Sequence, residues 1–242
     1  MQVQNNIASI NAARNQGIET GKLKKSLEKL SSGFRIVRAG DDAAGLAISE
    51  GMRSRINSLN QAMRNIDDGI GLTNVGDGAL TEVHSMLQRL KTLALKSANG
   101  TYDQSDRETL NMEKDHILEE IDRIGSTTKF GEISLFSRAD ANTNTDPPLW
   151  QPPELDDTIP LQIGGSTQAG EVLDVERYYI GSRELQLDQT DFSDVKKGHE
   201  SVGYIENAIE AVSKVRASFG AAYMHLDLSL IHISEPTRRY AI

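Results

Sequence analysis

The chain has 242 residues, of which 38% are hydrophobic and only 5% aromatic, and a formal net charge of −9. That charge gives no source for the phosphate attraction that dominates nucleic-acid binding, and no apolar run approaches the roughly 20 residues a membrane-spanning helix needs. Cysteine is absent, which removes disulfides, thiolate zinc sites and cysteine nucleophiles together.

Met1 to Ile18 lacks the charged-then-apolar layout of a cleaved secretory signal. From Asp42 to about Ala98 the pattern predicts one very long helix. Apolar residues recur at Met52, Ile56, Leu59, Met63, Ile66 and Ile70, spaced alternately by four and three, which is the seam of helix-on-helix packing. The seam resumes, one residue out of phase, at Leu80, Val83, Leu87, Leu90 and Ala94. At the rise of an α-helix this segment would be roughly 85 Å long, a length that suits rods and fibres. Between the two seams Gly69, Gly71, Gly76 and Gly78 each cost a helix about 1 kcal/mol relative to alanine. Periodicity alone reads this stretch as a loop.

Asn99, Gly100 and Thr101 break the helix, and Ser105 or Asp106 is the expected N-cap of the next. That helix, Arg107 to Ile124, places Leu110, Ile117, Ile121 and Ile124 on one face, with Gly125 as its stop. The short link implies an antiparallel return along the long helix. Ala139 to Pro160 then holds five of the six prolines and the only tryptophan, Trp150, and reads as a loop or linker. Trp150 reads as a local packing plug. Leu161–Ile163 and Val172–Ile180 are expected strands of a hairpin across GGSTQAG, with Leu185–Leu187 as a third strand. From Glu200 the helical rhythm returns through Val202, Ile205, Ile209, Val212, Phe219, Tyr223 and Leu226, with Arg216 in the missing place. So narrow a stripe needs a partner, and the long helix is the natural one. The fold class expected is mainly α, an elongated antiparallel helical bundle or coiled coil with a small β-hairpin region.

The two terminal regions carry a family resemblance. KLSSGFRIVRAGDDAAGLAISEGMRSRI at Lys29–Ile56 resembles the N-terminal signature of bacterial flagellins. The likeness continues through LTEVHSMLQRLKTLALKSANGTYDQSDRETL and EEIDRIGSTTKFGEISLF to Phe136, and AIEAVSKVRASFGAAYMHLD at Ala208–Asp227 is similar to the start of the C-terminal region. The resemblance implies a subunit that polymerises with its own kind into the flagellar filament, with no enzyme activity and no cofactor. It implies an N-terminal filament-core segment over 1–41, a helical rod over 42–136 and 198–227, and a short variable outer region over 137–197. The terminal segments are expected to be disordered in the free monomer and to pair as helices on polymerisation. It also favours a continuous helix through the glycines. Export as an unfolded chain through the flagellar type III channel needs no cleaved signal, and a flagellar export chaperone and the filament cap are implied partners. The extracellular filament is the implied location.

The family further implies a recognition site for the animal flagellin-sensing Toll-like receptor. The matching positions are Arg89 and Leu93 on the long helix, four residues apart, with Glu113 on the antiparallel helix. Read without the family, these are a solvated arginine and an ordinary seam leucine.

Catalytic patterns are missing where they were sought. His199 and Glu200 begin a zinc-protease HExxH, but Gly203 stands where the second histidine must be. The other histidines, His84, His116, His225 and His232, are scattered. Gly40-Asp41-Asp42 lacks the further carboxylates of a calcium loop, and an N-cap by Asp41 or Asp42 is the expected role. No Walker lysine follows the glycines, and no GxSxG is present.

The likeness stops after Asp227, where LSLIHISEPTRRYAI follows. Leu228, Leu230, Ile231 and Ile233 are not expected to continue the seam, and Pro236 is expected to break the helix. LSLIHISEPTR resembles a translated adapter of transposon-based sequencing libraries, so 228–242 is expected to be a non-native tail on a chain truncated at its C-terminus. The truncated chain is expected to fold its outer bundle poorly or partially and not to polymerise, whereas the intact parent does both. Two alternatives share the pattern. A hook–filament junction protein has the same terminal helices, and a secreted adhesin or enzyme could be built on the same scaffold, although 60 or so central residues are few for a catalytic domain.

Overall fold

The structure, a computed structural model, describes residues 6–136, 158–166, 168 and 170–239, with backbone alone for 236–239. Trp150 and the run from Asp146 to Asp157 therefore lie outside the described residues. The chain divides into two compact units, Met1–Ser58 and Leu59–Ile242.

In the first unit, α1 (Ile7–Ser32) is capped by the Asn6 side chain and closed by Gly33 in the left-handed region at φ 72°. None of its residues is buried. Arg38 pairs with Glu28 at 2.8 Å, and Asp41 lies 3.7 Å from Lys25 and 3.8 Å from Lys29. Asp42 accepts a hydrogen bond from the Gly45 N–H at 2.9 Å, the expected cap of the long helix.

That helix, α2 (Ala43–Ser97), is unbroken for 55 residues. Its buried positions are Ala62, Ile66, Gly69, Thr73, Gly76, Leu80, Val83, Leu87, Leu90, Ala94 and Ser97, joined by Leu72 and Leu93. Steps of four and three alternate along this row without a fault. The expected phase shift at the glycines is therefore not present: Gly69, Thr73 and Gly76 are themselves the seam. The upstream limit also differs, because Met52 and Ile56 are exposed and the buried row begins at Ala62.

A tight corner leads into α3 (Gln104–Thr127), whose cap is Asp103, accepting from the Asp106 N–H at 2.9 Å, rather than Ser105 or Asp106. Gly125 does not stop this helix. It lies inside it, buried, and a β-carbon there would come within 1.9 Å of the Ile180 carbonyl oxygen. The helix ends two residues later as Thr128 turns extended.

Two antiparallel strand pairs follow. The first, β1 (Lys129–Phe130) with β2 (Ile133–Ser134), closes on Gly131 at φ 61°. The second is the expected hairpin, β3 (Thr158–Gln162) with β4 (Val172–Glu176), in register Ile159↔Val175 and Leu161↔Leu173. Pro160, expected in the linker, lies within β3, exposed, where a two-stranded sheet leaves an edge that needs no N–H. β4 ends at Glu176, short of the expected Ile180. Leu185–Leu187 forms no third strand. Asp122 fixes Ser182 through its N–H at 2.6 Å and hydroxyl at 2.8 Å, Gln186 adopts φ 56°, and a 3-10 turn follows at Leu187–Gln189. Both leucines consequently point into the core.

The last helix, α4 (Val195–Arg239), starts five residues before Glu200 and runs through Pro236. Its buried row is Ser201, Ile205, Ala208, Val212, Val215, Phe219 and Leu226. Val215 takes the core place, while Arg216 reaches outward and Tyr223 is exposed. Contrary to expectation, Leu230 and Ile233 continue the row in steps of four and three from Leu226, partly buried against Ile66 and Ile163. Leu228 and Ile231 are exposed.

Candidate functional site

The second unit is organised by how α2 and α4 meet. Contacts pair Gly69 with Leu226, Gly76 with Phe219, Asp77 with Arg216, Lys91 with Glu206, and Ser97 with Gly198. Each step toward the C-terminus of α2 is a step toward the N-terminus of α4, so the two helices are antiparallel in a fixed register. The backbones approach closely at three glycines. A β-carbon at Gly76 would lie 2.7 Å from the Phe219 ring, one at Gly69 2.7 Å from Leu161 and 3.1 Å from Leu226, and one at Gly198 2.9 Å from the Ala98 nitrogen. The Phe219 ring is fixed in turn by Phe136 and Tyr178, with ring centroids 6.1 Å and 6.3 Å away. Flanking the apolar row, Arg216 pairs with Asp77 at 2.9 Å and Lys91 with Glu206 at 2.8 Å. Charged pairs beside an apolar seam set register and orientation.

The far end of this bundle is tied by polar contacts that sequence reasoning did not single out. Arg107 is 5% exposed, and its guanidinium donates to the carbonyls of Ser97, Asn99 (2.8 Å) and Tyr102 (3.3 Å). A cation here satisfies the orphan Ser97 carbonyl at the C-terminus of α2 together with two carbonyls of the corner, and complements the helix dipole. Phe192 is buried beside it, its N–H held by Asn111 at 3.0 Å and its carbonyl by the Ser97 hydroxyl at 2.9 Å. Asp191 accepts from Lys197 Nζ at 2.7 Å and from the Ser193 N–H at 2.8 Å. The hydrogen bond from Lys197 pulls the Asp191 carboxyl down to about 2. The N–H of the following helix's first residue, Val195, is held by Asp194 at 2.7 Å.

Of the three residues that the resemblance implied for receptor binding, two are paired and the third is buried. Arg89 donates through Nε to Glu113 Oε1 at 2.8 Å, with Nη2 2.6 Å from the same oxygen, and both side chains are about half exposed. Leu93, on α2 with Arg89, is fully buried in the core. It can support the surface but presents none of its own.

In the first unit many large apolar side chains face outward. Ile7, Ile10, Ile18, Leu23, Leu27 and Leu30 of α1 and Ile48, Met52 and Ile56 of α2 are all exposed. The Arg53 guanidinium lies 5.0 Å from the centre of the Phe34 ring, at one wall of an open cleft of about 270 Å³ that Ile36, Val37 and Leu46 also line. Among the described residues no three His, Asp or Glu side chains converge as a metal set, and no helix is long and apolar enough to cross a membrane.

Comparison with known proteins agrees with this architecture. The family described as the bacterial flagellin N-terminal helical region matches residues 3–141. A flagellin from Halalkalibacterium halodurans is 39% identical over 227 residues, covering 94% of this chain and 78% of that protein. The flagellar filament 33 kDa core protein of Treponema phagedenis is 33% identical over 97% of this chain and 81% of its own length. Among solved structures, that of Bacillus cereus flagellin superposes with a TM-score of 0.58 at 26% identity, covering 70% of this chain and 88% of the other.

Proposed function

This chain belongs to the bacterial flagellins, and we propose that it serves as a structural subunit that polymerises with other copies into the extracellular flagellar filament. The observation that carries the reading is the unpartnered apolar surface of the first unit. Most helical stability in proteins comes from packing an apolar face against a partner, whereas α1, 26 residues with none buried, exposes six large aliphatic side chains. Burial against neighbouring copies supplies the missing partner, at about 25 cal/mol for each square ångström of apolar surface covered. The second unit, by contrast, buries an apolar core of its own. An export chaperone and the filament cap would meet the same exposed helices before assembly, with transit as an unfolded chain that needs no disulfide.

Relatives named flagellin and filament core protein favour this over a hook–filament junction protein or an adhesin. Complementing a flagellin-deletion strain with the gene, followed by electron microscopy, tests it. Filaments of this subunit support the reading; motile cells with filaments that lack it refute it.

A second reading concerns the Toll-like receptor of animals. The surface around Arg89 and Glu113 would be its contact, supported by the ion pair that holds both side chains in place on adjacent helices. Leu93 would act from beneath.

A further inference from the structure

The corner between α2 and α3 carries the chain's single Asn-Gly step, Asn99–Gly100. We propose that this is a site of spontaneous succinimide formation, which converts Asn99 to aspartate and isoaspartate in the folded protein. The chemistry needs a free backbone N–H next to a carboxamide and a conformation that lets them meet. Both residues are exposed, and a β-carbon at Gly100 would meet nothing within 4 Å. Among the described residues no hydrogen bond engages the Gly100 N–H, whereas Asn99 Oδ1 accepts from the Thr101 N–H at 3.3 Å, an Asx turn that bends the side chain toward the following backbone.

Arg107 adds an electronic contribution. It donates to the Asn99 carbonyl at 2.8 Å, the carbonyl of the same peptide group whose nitrogen must lose a proton. A cation bonded there withdraws charge and makes that N–H more acidic. Hydroxide takes the proton, the nitrogen attacks Asn99 Cγ, the N–Cγ bond forms, and the Cγ–Nδ2 bond breaks as the departing nitrogen takes a proton from water, leaving as ammonia and returning the hydroxide. Water then opens the ring. Attack at Cγ leaves aspartate; attack at the former main-chain carbonyl leaves isoaspartate, with the backbone routed through Cβ. The carbonyl polarised by Arg107 is the second of these, so isoaspartate is the main product. Its extra backbone atom falls between the three carbonyls that Arg107 holds at once.

The fold supplies its own controls. Asp68–Gly69 and Asp77–Gly78 have the same side-chain reach, but both lie inside α2, where helical bonds occupy the glycine N–H. Asn57, Asn60 and Asn207 are exposed yet helical.

The test holds the full-length protein at body temperature and mildly alkaline pH, then maps peptides by mass and labels isoaspartate with a carboxyl methyltransferase. The Asn99 peptide is expected to deamidate roughly tenfold or more faster than those of Asn57, Asn60 and Asn207, because only it reaches an attack geometry. Gly100→Ala, with space for its methyl, is expected to slow the conversion about tenfold through lost backbone freedom. An Asn99 rate equal to that of the three helical asparagines, or unchanged in Gly100→Ala, overturns the proposal.

Discussion

Gly76 and Phe219 are in direct contact across the α2–α4 seam: the ring lies where the side chain of any other residue at 76 would begin, 2.7 Å from the position of a β-carbon. The ring cannot turn aside, because Phe136 and Tyr178 hold it on its other edges. Gly76→Ala should therefore cost about 1 to 3 kcal/mol through overpacking against a helix-propensity gain of about 1 kcal/mol, a net loss of up to about 2 kcal/mol. Gly78→Ala, two residues on, meets open space and should show only the gain. Thermal melts of the two variants decide it, and equal stability of both would remove the steric account.

Arg107 is the second sensitive position. Arg107→Met keeps an apolar stem but strands the carbonyls of Ser97, Asn99 and Tyr102. A loss of about 3 kcal/mol is expected, the range for stripping a buried charge-assisted network. Denaturant unfolding measures the loss, and hydrogen exchange should localise it to the end of α2. Arg107→Lys should recover little, since one ammonium cannot reach three carbonyls in a fixed fork.

How far these elements could be read from residues alone varies with the signal. The long helix, the antiparallel return and the hairpin were legible because aliphatic residues recur with the right periods. The glycine stretch was not, because a count of apolar residues skips Gly69, Thr73 and Gly76 and so reports a phase fault where the row is continuous. Spacing between Ile66 and Leu80 carried the answer, two heptads without remainder. Gly125 was misread for a related reason: a glycine near a helix end looks like a stop, and only the Ile180 carbonyl packed against it reveals a close approach. Leu185 and Leu187 alternate like a strand, but a left-handed Gln186 lets both enter the core. Arg107 and Asp191 left no pattern, since their partners are backbone atoms or come from a loop. Of the three residues that the resemblance implied for receptor binding, Arg89 and Glu113 prove to be paired; neither that contact nor the depth of Leu93 was legible without the packing.

Asp191 predicts an acid dependence. Its carboxyl titrates near 2 in the folded protein, below the value of about 3.9 for an unfolded aspartate. Protons therefore bind the unfolded chain more readily, and the contribution to stability is complete above about pH 4 and disappears as pH falls toward 2. The pair is partly solvated, so no more than about 1 kcal/mol is at stake. Asp191→Asn should lower stability at neutral pH and match the parent near pH 2. A difference that persists in acid would assign the effect to something other than this charge.

The Arg89–Glu113 pair should matter little for folding and much for recognition. Arg89→Asp removes a surface ion pair worth about 0 to 1 kcal/mol, so the melting curve should barely move. Receptor signalling by the same preparation should fall sharply. Undiminished signalling would end the receptor reading without touching the fold.

The account rests above all on two distant stretches pairing in one register, and a chain without cysteine allows a direct measurement. Cysteines replacing Asp77 and Arg216, whose side chains meet at 2.9 Å, should be joined within one molecule by a short thiol-reactive linker. Cysteines replacing Asp77 and Tyr223, one heptad and roughly 10 Å out of register, should not. Efficient linking of the second pair and not the first, or of neither, would contradict the antiparallel seam on which every assignment here depends.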